Sequence, residues 1–116
     1  MKYLFILNDP PYGTERSYNA LRLAREVLKH EGNEAKVFLL GDAASGAKGG
    51  QKVPQGYYSI EALLHGVSAR GAAIGVCGTC LDARGLADDE LGKGCARSTM
   101  AELAGWAGWA DKVLVF

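Results

Sequence analysis

The sequence predicts an α/β fold: a single three-layer α/β/α domain over residues 1–116, with a mainly parallel sheet of about five strands. Three observations carry that reading. Short continuous apolar runs at residues 3–7, 35–40 and 72–77 suit strands covered on both faces, as parallel sheets require. Segments of helical periodicity separate these runs, and such alternation is the signature of a doubly wound sheet. With 116 residues, 48% of them hydrophobic, the chain can build one sizeable core and is too short for two.

Residues 3–7 form the first strand, and Asn8-Asp9-Pro10-Pro11-Tyr12-Gly13 ends it, because prolines cannot donate to a ladder. Residues 14–31 follow as a helix. Leu21, Ala24, Val27 and Leu28 recur at helical spacing, with Tyr18 one turn earlier, Thr14 placed as N-cap, Glu15 in the first turn and Gly32 just past the end. Residues 35–40 are the second strand. Residues 41–56 have almost nothing to bury and are expected to form a mobile loop. Ile60, Leu63, Leu64 and Val67 mark a helix over residues 59–70, which leads into the third strand at 72–77. A brief helix at 81–85 and a polar turn at 87–94 come next. Thr99 with Glu102 reads as a capping box for a helix running to Ala110, and residues 112–116 supply a last strand.

Charge and composition exclude several classes of function. Thirteen Lys and Arg balance thirteen Asp and Glu, so no long-range field draws the chain to nucleic acid or to an anionic membrane. The opening residues Met1 to Asn8 lack a small-residue cleavage pattern and read as a strand rather than a signal peptide, and no segment is apolar enough to span a bilayer. Three cysteines are too few for a disulfide framework and point to reduced thiols in a cytoplasm.

The chemistry concentrates in Val76-Cys77-Gly78-Thr79-Cys80-Leu81-Asp82-Ala83-Arg84-Gly85, where two thiols three positions apart stand between an apolar run and a short helix. A free thiol has a pKa of about 8.5, and unpaired N–H groups at a helix start lower it toward the nucleophilic thiolate. Ligands of a doubly wound sheet bind beyond the carboxyl ends of its strands, and both Cys77 and residues 8–14 fall on that edge. The candidate catalytic residues are therefore Cys77 and Cys80. Tyr12, Gly13, Thr14, Gly78, Thr79 and Arg84 are the candidate substrate-binding residues.

Each of these has a plainer reading. A free cysteine is commonly a small buried hydrophobe, Cys80 is either a resolving thiol or a residue of the short helix, and Tyr12-Gly13-Thr14 is either an anion-binding turn or an ordinary turn with its cap. Asp82 and Arg84 most simply orient the loop by local hydrogen bonds or an ion pair. Cys-Gly-Thr-Cys suits dithiol exchange as well, although prolines only at positions 10, 11 and 54 leave none downstream to face the pair. Cys77, Cys80, Cys95 and His65 make a poor zinc set, with one close pair where structural zinc takes two, so no metal is expected. His30 and His65 lie on predicted helices as solvated or structural residues. Gly41 to Lys48 misses the phosphate-loop pattern, since Gly46 is followed by Ala47. Trp106 and Trp109 are most simply core residues; beside Gly105 and Gly108 they also suit oligomer packing, because small residues let another helix approach.

Pro11-Tyr12-Gly13-Thr14, the Val76 to Gly85 run and Ser98-Thr99-Met100-Ala101-Glu102-Leu103 with Trp109 to Phe116 together resemble the DsrE/DsrF-like (YchN-like) family over the whole chain. That resemblance implies a sulfur-relay protein carrying a persulfide on the cysteine that ends the third strand, here Cys77, with no cofactor. Cys80 is not general to the family. The resemblance further implies a homotrimer or homohexamer, and sulfur donor and acceptor proteins or small thiols as partners. The expected function is a cytoplasmic sulfur carrier, sulfurtransferase-like, acting through Cys77. The alternatives are a thiol-disulfide redox protein, or a ligand- or partner-binding module whose cysteines are structural.

Overall fold

In the computed structural model, residues 1–55 and 58–116 are described. The chain runs β1 (Lys2–Leu7), α1 (Arg16–Val27), β2 (Glu34–Leu39), a 3-10 segment (Gly41–Ala47), α2 (Ile60–Ala69), β3 (Ala73–Cys77), α3 (Gly78–Ala83), a 3-10 turn (Asp88–Glu90), β4 (Cys95–Ser98), α4 (Met100–Trp109) and β5 (Lys112–Val115). The sheet has five strands in the order β4-β3-β2-β1-β5, and every neighbouring pair is parallel. Alternate side chains divide its two faces. Phe5, Leu7, Val37, Leu39, Ile74 and Val76 pack under α1 and α2, whereas Leu4, Phe38 and Cys77 lie on the opposite face with Leu103 of α4.

One strand was not visible in the sequence. β4 reads Cys-Ala-Arg-Ser, without an apolar run, because it is an edge strand with one open side. Its register sets Cys95 against Ile74 and Ser98 against Cys77.

The first half of the loop expected at residues 41–56 is instead built into the core. Ala43, Ala44, Gly46 and Ala47 are buried in the 3-10 segment, because side chains this small let backbone lie flat on its neighbours. A Cβ at Gly46 would stand 3.5 Å from Pro11 Cβ and 3.6 Å from Ile60 Cγ2. Gln51 Nε2 then donates to Ser45 O at 2.7 Å and to Lys48 O at 3.0 Å, tying down the exit. Gly56, where the predicted loop ends, lies outside the described residues.

Two caps differ from expectation. α1 begins at Arg16 with Glu15 as N-cap; Thr14, one position earlier, donates its hydroxyl to Asp9 Oδ2 at 2.9 Å and accepts the Arg16 N–H at 3.4 Å, serving both the loop and the helix start. Thr99 does cap α4, accepting the Glu102 N–H at 3.1 Å, but the Glu102 carboxylate takes the Ser98 hydroxyl, so the box is half formed. α3 starts at Gly78, three residues ahead of the expected start, which moves Cys80 inside the helix and makes Cys77 its N-cap.

α4 turns its tryptophans toward the sheet. Trp106 meets Phe38 edge to face with centroids 5.8 Å apart, and the Lys36 ammonium lies 5.2 Å from the Trp106 ring and 4.3 Å from Trp109. Gly105 and Gly108 point the other way, with nothing within 4 Å of a Cβ built on either. Among the described residues no helix is long and apolar enough to cross a membrane.

Candidate functional site

β3 delivers Cys77 to the carboxyl edge of the sheet, and the chain turns there directly into α3. Cys77 keeps an extended ψ of 117° as N-cap, so its side chain stays beside the first turn instead of pointing out along the helix. The Cys80 N–H donates to Cys77 Sγ at 3.4 Å, and Thr79 Oγ1 lies 3.2 Å from the same sulfur. Cys77 is only 7% exposed, and its access is a cavity of about 620 Å³ lined by Gly78, Thr79, Asp82, Asp88, Arg97, Ser98, Thr99 and Met100.

The two thiols are driven in opposite directions. Burial pushes the Cys77 thiol up, but hydrogen bonds from the Cys80 and Thr79 side chains and from their backbone N–H groups outweigh it, leaving Cys77 below its ordinary value. Cys80 is held above its ordinary value by burial and by the hydrogen bond it gives to Cys77, with the Gly41 N–H, 3.2 Å from Cys80 Sγ, acting against this. Of the two, Cys77 is therefore the thiol favoured as thiolate and Cys80 the one favoured to keep its proton. Cys95, the third free thiol, is pushed up to about 11 by burial and the nearby Glu61 carboxylate, and so stays an unreactive thiol at neutral pH.

Of the predicted residues, Cys77, Gly78, Thr79 and Cys80 come together. Arg84 does not face the cavity: its guanidinium donates to Cys80 O at 3.0 Å and pairs with Asp42 at 2.6 Å, joining α3 to the 3-10 segment. Asp82 pairs with Arg97 rather than with Arg84. Tyr12, Gly13 and Thr14 sit on the same sheet edge but do not line the cavity. The Tyr12 hydroxyl accepts the Ile60 N–H at 3.1 Å, Gly13 adopts φ 106°, and Thr14 O accepts the Tyr58 hydroxyl at 3.2 Å. These contacts tie the loop after β1 to the segment entering α2. His30 and His65 are exposed. No group of three or more His, Cys, Asp or Glu side chains placed to hold a metal ion occurs among the described residues.

Arg97, Ser98 and Asp88 escaped the sequence reading. The signal for Arg97 and Ser98 is the strand count: a sheet of about five strands needs one more than the four apolar runs, and a strand beside β3 must set its side chains next to Cys77.

The sequence model of the DsrE/DsrF-like family matches residues 1–116. Protein YchN of Escherichia coli (strain K12) is 38% identical over 116 residues, covering 99% of this chain and 98% of its own. A protein of Methanocaldococcus jannaschii, MJ0989, is 37% identical over 116 residues and the full length of both chains. The crystal structure of the E. coli ychN protein superposes with a TM-score of 0.93 at 37% identity, over 99% of this chain and 98% of that one. MTH1491 of Methanobacterium thermoautotrophicum, at 15% identity, shares the fold with a TM-score of 0.77 over 99% of this chain and 98% of its own.

Proposed function

This chain belongs to the DsrE/DsrF-like family, and from that premise we propose that it is a sulfur carrier, accepting and delivering sulfane sulfur as a persulfide on Cys77. The observation that carries the proposal is the hydrogen-bonded, poorly exposed Cys77 sulfur opening into a cavity large enough for a small thiol or a protruding cysteine. In loading, the Cys77 thiolate attacks the outer sulfur of a donor persulfide, the donor thiolate departs, and Cys77-S-SH remains after proton transfer. In delivery, an acceptor thiolate attacks that outer sulfur and the Cys77 thiolate leaves. The sulfane sulfur keeps its oxidation level throughout, so neither step requires an outside oxidant.

The reading takes the compartment to be a reducing cytoplasm and the partners to be donor and acceptor proteins or small thiols. It also takes the chain to be a homo-oligomer, trimer or hexamer. α4 and β5 favour this, because Met100 and Val115 are 63% and 65% exposed on the thinly covered sheet face. A second reading, thiol-disulfide exchange, is favoured by the unequal Cys77 and Cys80 thiols, an asymmetry that gives a dithiol pair one attacking sulfur.

Incubation with a small-molecule persulfide, followed by peptide mass mapping, tests the proposal. It expects the added mass of sulfur on Cys77, removable by reductant and absent in Cys77→Ser. Labelling that persists in Cys77→Ser defeats it.

A further inference from the structure

Arg97 reaches from β4 along the wall of the Cys77 cavity and engages three groups on two other elements. Its Nε donates to Asp88 Oδ1 at 2.6 Å, Nη1 to Gly78 O at 3.1 Å and Nη2 to Asp82 Oδ1 at 3.0 Å. We infer that Arg97 is a positioning residue for the Cys77 thiolate: its guanidinium fork holds the first turn of α3 in the conformation in which Cys77 Sγ collects its hydrogen bonds.

α3 has six residues, too few to hold a helical turn by propensity alone. That turn nevertheless supplies the Cys80 N–H and the Thr79 hydroxyl to the sulfur. Arg97 grips it at two points, the carbonyl immediately after Cys77 and a carboxylate one turn further on. A planar fork with several fixed donors can do this, whereas an ammonium group cannot. The close approach depends on Gly78. A Cβ there would lie 2.9 Å from Arg97 Nη1, 3.3 Å from Arg97 Cγ and 3.2 Å from Ser98 O.

The charges around Cys77 argue for geometry over simple attraction. Asp82 of α3, Asp88 of the 3-10 turn and Arg97 of β4 line the cavity, while α4 contributes Glu102, held on the Ser98 hydroxyl. With Asp82 and Asp88 against one guanidinium in the lining, and Glu102 a third carboxylate bonded to Ser98, the charges as a whole disfavour a thiolate. The stabilisation of that thiolate must come from aligned hydrogen bonds, with the Cys80 thiol as the remaining titratable neighbour.

The inference rests on Cys77 being the reactive thiol, and its readout is separate from sulfur transfer: the alkylation rate of Cys77 against pH, mapped by peptide mass spectrometry. Arg97→Ala is expected to raise the midpoint by about half a pH unit and slow alkylation at pH 7 about threefold. Arg97→Lys, which keeps the charge and loses the fork, should resemble Arg97→Ala; full recovery by lysine overturns the positioning role. The double variant Asp82→Ala/Asp88→Ala is the sharper test. Removing two negative charges would by itself lower the midpoint, whereas freeing the guanidinium raises it. A lowered midpoint there, or an unchanged profile in Arg97→Ala, defeats the inference. Both carboxylates are exposed, so the double variant decides the matter even if Arg97→Ala does not fold. A chain that takes up no sulfur in the persulfide assay would still display these shifts, so failure of the carrier reading and failure of the Arg97 role are distinct results.

Discussion

Cys80 gives its backbone N–H to Cys77 Sγ at 3.4 Å while its own sulfur accepts the Gly41 N–H at 3.2 Å. Each sulfur thus accepts a backbone N–H, while burial and the Cys77 neighbour still hold the Cys80 thiol above its ordinary value and Cys77 lies below its own. The Gly41 N–H from the 3-10 segment opposes the rise at Cys80, and Arg84 reinforces the joint by bonding Asp42 and the Cys80 carbonyl.

Packing beneath α4 predicts opposite effects for two glycines. A Cβ at Gly75 would stand 3.0 Å from Trp106 Cη2 and 3.1 Å from Phe38 Cδ2, so Gly75→Ala should destabilise the fold by about 1–3 kcal/mol through overpacking. Gly108 has open space and sits within α4, so Gly108→Ala should stabilise by about 0.5–1 kcal/mol. Denaturant unfolding of both variants checks the signs; an unchanged midpoint in Gly75→Ala would contradict the packing described.

Cys95 should make stability fall at alkaline pH. Its folded-state value, about 11, lies above the ordinary thiol value of 9.0. The folded chain then retains a proton that the unfolded chain loses between those values, and stability declines as pH rises through that window. Thermal unfolding across it should show a shallower decline in Cys95→Ala than in the parent. Parallel curves would mean that Cys95 titrates normally.

The proposed oligomer locates its interface on α4 and β5. Val115 is aligned with Ile6 at the sheet edge and is 65% exposed, so Val115→Lys costs the lone chain little and would leave a charge desolvated at an interface. Light scattering should report a multimer for the parent and a smaller species for Val115→Lys. A monomeric parent removes the oligomer from the proposal. Arginine at Trp106 would be a poor probe of this interface, because that ring packs against Phe38 within the chain.

What the sequence revealed divides along local and long-range physics. β1, β2 and β3 were legible because buried parallel strands are largely apolar, the exposed edge strand β5 because Val113-Leu114-Val115-Phe116 is apolar all the same, and Cys77 because a thiol at the end of such a run is a local pattern. β4 was not, since an edge strand as short and polar as Cys95–Ser98 carries no periodic signal, and Arg97 was lost with it. The 3-10 segment was misread because small residues look featureless in sequence, yet they pack tightly against a sheet end. Thr14 stands one residue ahead of the N-cap and bonds both Asp9 and the Arg16 N–H, a placement set by how the loop folds back.

Cys80 offers the clearest separation of chemistry from structure. Cysteines bracketing two residues can bond when their Cα atoms come within about 7 Å, which one turn at a helix start permits. Mild oxidation should therefore give an internal Cys77–Cys80 disulfide. In the loaded protein, attack of Cys80 on Cys77 Sγ would form the same disulfide and expel the outer sulfur as hydrosulfide, the two thiol electrons leaving with it. If that is the release route, Cys80→Ser should still load and should hold its persulfide longer in single-turnover cyanolysis. The substitution also removes the thiol hydrogen bond that keeps Cys77 low, so loading should slow modestly at pH 7 and recover at higher pH. Equal release rates in parent and Cys80→Ser would take Cys80 out of delivery and leave Cys77 acting alone.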